Sequence, residues 1–136
     1  MKVEVRYFSR TGNTKKLADA IAEVAGVEAK RMDEPITEAT DILFLGSSVY
    51  AAGVDQAVKE FIKSLQPEKI KKVVNFSTAA LLPSTYKQIS KLLEAQGISL
   101  DTREFHCRGS FQMMHRGKPD ENDIQEVKRF TKSIIE

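Results

Sequence analysis

The chain has 136 residues, with 21 lysines and arginines against 19 aspartates and glutamates, a net charge of +2. That length can bury about two-thirds of the unfolded surface, so a single domain spanning 1–136 needs no staples; the lone Cys107 excludes an internal disulfide, and no Cys/His cluster has zinc-like spacing. The scattered charges contain no basic tract for nucleic acid, no apolar run reaches the roughly 18 residues of a membrane span, and Met1 leads almost directly into a strand-like segment rather than a secretion signal, so the expectation is a cytoplasmic protein.

The first predicted strand is Val3-Glu4-Val5-Arg6-Tyr7-Phe8. Leu17, Ala18, Ile21, Ala22 and Ala25 then form an apolar stripe at helical spacing that stops at Gly26, a helix C-cap residue. Val27 to Arg31 is a weaker, edge-like strand. Asp41-Ile42-Leu43-Phe44-Leu45-Gly46 is almost uninterrupted in apolar character, the mark of a parallel strand covered on both faces. Val54, Val58, Phe61, Ile62 and Leu65 define a second helix ending before Pro67. Lys72 to Phe76 is the fourth strand, and Ile89, Leu92 and Leu93 mark a third helix ending at Gly97. Arg103-Glu104-Phe105-His106-Cys107 is the fifth strand. Pro119 then opens a last helix whose Asp120, Glu121 and Asp123 sit at its positive end and whose Ile124, Val127 and Ile134 face inward. There is no internal repeat, low-complexity tract or linker.

Five strands alternating with four helices predict an α/β fold: a three-layer sandwich with a five-stranded parallel sheet in the order 2-1-3-4-5 and helices on both faces. Ligands of such sheets bind beyond the carboxyl ends of the strands, so the chemistry is expected after strands 1, 3 and 4.

After strand 1 the chain reads Ser9-Arg10-Thr11-Gly12-Asn13-Thr14 and enters the first helix. A helix N-terminus carries unpaired N–H groups and partial positive charge, and a loop of compact hydroxyl and amide residues around one glycine can surround a phosphate there. The loop lacks the final lysine and leading glycine of a nucleoside-triphosphate P-loop and is not G-x-G-x-x-G. The plainer alternative is that Thr11 or Asn13 only caps the helix.

This hexapeptide resembles the S/T-x-T-G-N-T signature of flavodoxins and related short-chain FMN proteins, and the number and order of elements follow the same plan over essentially the whole chain. The resemblance implies FMN as cofactor, with its phosphate on Ser9, Arg10, Thr11, Gly12, Asn13 and Thr14. Gly46-Ser47-Ser48-Val49-Tyr50-Ala51-Ala52-Gly53 is similar to the family's G-S-P-x-Y-x-G loop, with Ser48 in place of proline. It implies flavin contacts from Ser47, Ser48, Val49, Tyr50 and Ala51, Tyr50 stacking on the ring. In the loop after strand 4 the resemblance implies contacts from Ser77, Thr78 and Ala79, although a Ser-Thr pair after a strand often caps a turn.

Two departures bear on the role. Electron-carrier flavodoxins usually place a second aromatic in the third loop, where this chain has Leu81 and Leu82 ahead of Tyr86, and they are strongly acidic, where this chain is slightly basic. The expected function is FMN-dependent electron transfer with a redox partner protein or small anionic substrate at the flavin edge, no catalytic side chain and no metal, in a monomer or weak dimer. The alternative is an FMN oxidoreductase acting directly on a quinone or a tetrapyrrole, in the manner of a protoporphyrinogen oxidase. A receiver-type signalling module shares the topology but needs an aspartate at the end of strand 3, where Gly46-Ser47 stands. Cys107 reads as a buried small hydrophobe rather than a redox thiol, His115 as a surface residue, and Arg10, Arg108, Arg116 and Lys118 as charges near the carboxyl edge of the sheet.

Overall fold

The computed structural model describes residues 1–9, 12–49, 54–79, 85–108 and 117–136. The elements are β1 (Val3–Tyr7), α1 (Asn13–Ala25), β2 (Ala29–Arg31), β3 (Ile42–Val49), α2 (Gln56–Ser64), β4 (Val73–Ala79), α3 (Tyr86–Gln96), β5 (Phe105–Arg108) and α4 (Glu121–Ile135). All five strands pair in parallel in the order β2-β1-β3-β4-β5, as predicted.

Alternation along the strands divides the core into two layers. Val3, Val5 and Tyr7 of β1, Ile42 and Phe44 of β3 and Val74 and Phe76 of β4 pack on one face against Leu17 and Ile21 of α1 and Val127 and Ile134 of α4. Leu43 and Leu45 of β3 and Val73 of β4 point the other way, onto Val58, Phe61 and Ile62 of α2 and Ile89 and Leu93 of α3. Burial on both faces explains the continuous apolar run of β3. At Gly46 this packing leaves no room for a side chain, because a Cβ there would enter the ring of Phe76 on the neighbouring strand.

Several strand boundaries differ from the sequence-based expectation. β3 and β4 run three residues further, to Val49 and Ala79, because their ladder continues through Ser47 opposite Ser77, Ser48 opposite Thr78 and Val49 opposite Ala79. These residues therefore stand in strands rather than in loops. β5 begins at Phe105 instead of Arg103, since Asp101 captures Arg103 through its amide at 2.9 Å and its guanidinium at 2.9 and 3.1 Å, turning the chain before the strand starts. The edge strand β2 is shorter than expected.

Arg6 is buried in β1, which its charge did not suggest. Its guanidinium donates to the carbonyls of Glu34 at 2.9 Å and Pro35 at 3.1 Å and to the Glu4 carboxylate at 2.8 Å, pinning the chain after β2 against the sheet. A buried cation persists only when so satisfied.

The acidic start of α4 is a reciprocal cap. Asp120 accepts from the Asp123 amide and Asp123 from the Asp120 amide, each at 2.9 Å.

Candidate functional site

The carboxyl ends of β1, β3 and β4 and the N-termini of α1 and α3 meet at one edge of the sheet. β1 gives way to Ser9, whose Oγ accepts from the Gly12 amide at 2.9 Å. Gly12 is the N-cap of α1 with φ +87, a left-handed conformation that favours glycine, and the space where its side chain would stand is open. Among the described residues no side chain caps α1 and its first turn holds no acidic residue, a condition α3 shares, whereas Asp55 caps α2 and Asp120 caps α4.

Asn13 and Thr14, the first two residues of α1, are buried. The Thr14 hydroxyl lies 2.9 Å from that of Thr78 at the end of β4. Ser48 sits opposite Thr78 in the ladder, so its side chain lies on the same face of the sheet, toward α1. Its Oγ is buried with no hydrogen-bond partner among the described residues. An orphaned buried hydroxyl is uncommon and calls for an explanation.

The opposite face holds a second polar group. Thr85, the residue before α3, accepts hydrogen bonds at its Oγ1 from Ser47 Oγ at 3.2 Å and Asn75 Nδ2 at 3.1 Å, while its amide donates to Ser77 Oγ at 3.4 Å. All four residues are fully buried. The side chains of Ser47 and Ser77 are thus committed to Thr85. Sequence reasoning missed Asn75 and Thr85; the available signal was an asparagine in the middle of the apolar β4 run, which must find a partner once buried.

Of the residues expected at the site, Ser9, Gly12, Asn13, Thr14, Ser47, Ser48, Ser77 and Thr78 gather at this edge, with the backbones of Val49 and Ala79 closing β3 and β4. Arg10, Thr11, Tyr50 and Ala51 lie outside the described residues, as do Leu81, Leu82, His115 and Arg116.

Beyond β4, Cys107 is partly buried, and burial, reinforced by the negative charge of Asp123, pushes its thiol up to about 12. It stays protonated at neutral pH, as expected of a small hydrophobe. Tyr86 begins α3, and its hydroxyl donates to the Asp101 carbonyl at 3.3 Å. Lys118 pairs with Asp120 and Asp123 at 3.1 Å each, which holds its ammonium above the usual range. It adds little net positive charge to the edge. Among the described residues no group of His, Cys, Asp and Glu could hold a metal ion, and no helix is long and apolar enough to cross a membrane.

The parallel order β2-β1-β3-β4-β5 with helices on both faces is that of the doubly wound α/β proteins, whose ligands bind beyond the carboxyl ends of the strands. Residues 4–116 match the model of a flavodoxin domain, and the chain belongs to that family. An uncharacterised protein of Methanocaldococcus jannaschii is 28% identical over 150 aligned positions covering 99% of both chains. Among solved structures, a flavodoxin from the domain Archaea is similar with a TM-score of 0.78 at 20% identity, covering 98% of this chain and 96% of that one. Oxidised flavodoxin 2 from Bacillus cereus is similar with a TM-score of 0.73 at 19% identity, covering 99% and 98%. Rubredoxin oxygen:oxidoreductase from Desulfovibrio gigas matches with a TM-score of 0.76 at 15% identity, over 98% of this chain but 35% of that one.

Proposed function

We propose that this chain is a single-domain, cytoplasmic electron-transfer protein that binds FMN non-covalently at the carboxyl edge of its sheet. The observation that carries the reading is the buried Ser48 hydroxyl, without a hydrogen-bond partner among the described residues, on the face of the sheet where α1 begins. Hydroxyls and backbone amides at a helix N-terminus suit a phosphate. The family's flavin chemistry agrees with this donor set.

In this reading Ser9 holds Gly12 in place, and Gly12, Asn13 and Thr14, with Arg10 and Thr11, surround the phosphate at the helix mouth. The open space above Gly12 leaves room for an oxygen to approach the backbone. Ser47 to Ala51 and Ser77 to Ala79 flank the ring. Because the Ser47 and Ser77 hydroxyls are engaged by Thr85, these two residues serve the ring through their backbones. Bound FMN supplies reversible electron chemistry in its isoalloxazine ring, so no side-chain acid, base or nucleophile is assigned.

Gly12→Asp tests the reading. It sets a negative charge where the phosphate is expected, and the purified variant should keep its circular dichroism spectrum while losing FMN uptake. Uptake equal to that of the unaltered protein would contradict the assignment.

A further inference from the structure

We propose that Thr85 is a positioning residue for the flavin site, closing the connection between β4 and α3 at its neck and tying it to the end of β3. The proposal rests on the FMN reading above. Ser77 and Thr85 are eight residues apart in the chain, and the bond from the Thr85 amide to Ser77 Oγ joins the two ends of that connection. Thr85 Oγ1 then takes one hydrogen bond from Asn75, two residues earlier on the same strand, and one from Ser47, which neighbours Ser77 across the ladder. A single side chain thereby binds both strands whose continuations flank the proposed ring.

The placement is costly unless it serves something. Ser47, Asn75 and Ser77 stand at fully buried positions on the face where the same strands otherwise present Leu43, Leu45 and Val73, and apolar residues there would need no partners. What the polar set adds is direction: hydrogen bonds fix geometry where apolar contact does not. Thr85 touches no cofactor in this scheme. Its effect is to fix the ends of β3 and β4 and the start of α3 relative to one another before FMN arrives, so that this cost does not reduce affinity.

The test compares FMN affinity, by quenching of flavin fluorescence, and the midpoint potential of the bound flavin in four proteins: unaltered, Thr85→Val, Thr85→Ser and Thr131→Val. Valine keeps the shape of threonine and removes the acceptor for Ser47 and Asn75, and FMN affinity should fall by roughly tenfold or more with a shifted potential. Serine restores the hydroxyl and should restore both values. Thr131 is as buried and bonds only the Val127 carbonyl within α4, so Thr131→Val should lower stability without moving either readout. If Thr85→Val does not fold, Thr85→Cys replaces it, filling similar space with a weak acceptor, and the same two readouts decide. A folded Thr85 variant with unaltered affinity and potential overturns the proposal. Absence of FMN uptake by the unaltered protein overturns the reading beneath it instead.

Discussion

The hydroxyls of Thr14 and Thr78 meet at 2.9 Å across 64 residues of sequence, joining the first turn of α1 to the end of β4. One residue earlier on the same strand, Ser77 accepts from the Thr85 amide at the start of α3, on the other face. The end of β4 is therefore held by one helix N-terminus on each side. Removing the first clasp with Thr14→Val leaves the Thr78 hydroxyl buried without its partner, and should cost about 1–3 kcal/mol in urea denaturation of the FMN-free protein. Thr14→Ser should recover most of it.

The Phe76 ring occupies the space that a side chain at Gly46 would need. Gly46→Ala drives a methyl group into the Phe76 ring and should destabilise by about 1–3 kcal/mol, with the transition midpoint falling and its slope unchanged. Combining it with Phe76→Leu, which withdraws the ring, should cost less than the sum of the two single changes.

Acid stability should depend on Asp101. Hydrogen bonds from the Arg103 guanidinium, then from the Arg103 amide and from Lys72, hold its carboxyl well below the usual carboxylate range against an opposing effect of burial. A carboxyl whose pKa is depressed by folding stabilises the fold at every pH above its unfolded value of about 3.9, and that contribution is lost as pH falls through the folded value. Thermal melting of Asp101→Asn should accordingly give a lower midpoint than the unaltered protein at pH 7, and a gap that narrows below pH 4. A gap independent of pH would assign the effect to packing.

Cys107 should be inert in the folded protein. With its thiol pushed up to about 12, almost no thiolate exists at pH 8, and an aromatic disulfide reagent should react with it only after denaturant is added. Reaction within seconds in native buffer would contradict the burial that raises it.

Much of this fold was legible because it depends on periodicity. The alternation of β3 with α2 and of β4 with α3, the ending of α1 at Gly26 and the acidic opening of α4 all follow from local spacing. What local spacing cannot carry is pairing. Ser47, Ser48, Ser77 and Thr78 read as loop residues because they are polar, yet each stands in a ladder whose continuation is set by the strand opposite. The burial of Arg6 has no local signal, because its partners Glu34 and Pro35 lie 28 and 29 residues away. Thr85 was passed over because Ser47, its most distant partner, is separated from it by 38 residues. The loop between β1 and α1, proposed to hold the phosphate, is a local feature instead: its residues are contiguous, and Ser9 contacts Gly12 directly.

The most direct test of the account is a paired titration of the unaltered, flavin-free protein with FMN and with riboflavin, which differ only in the phosphate. If the mouth of α1 receives that group, FMN binds stoichiometrically and at least about a hundredfold more tightly, the 2.7 kcal/mol or so expected of a dianion held by several charge-assisted hydrogen bonds. Equal affinity for the two flavins, or no binding of either, would contradict it.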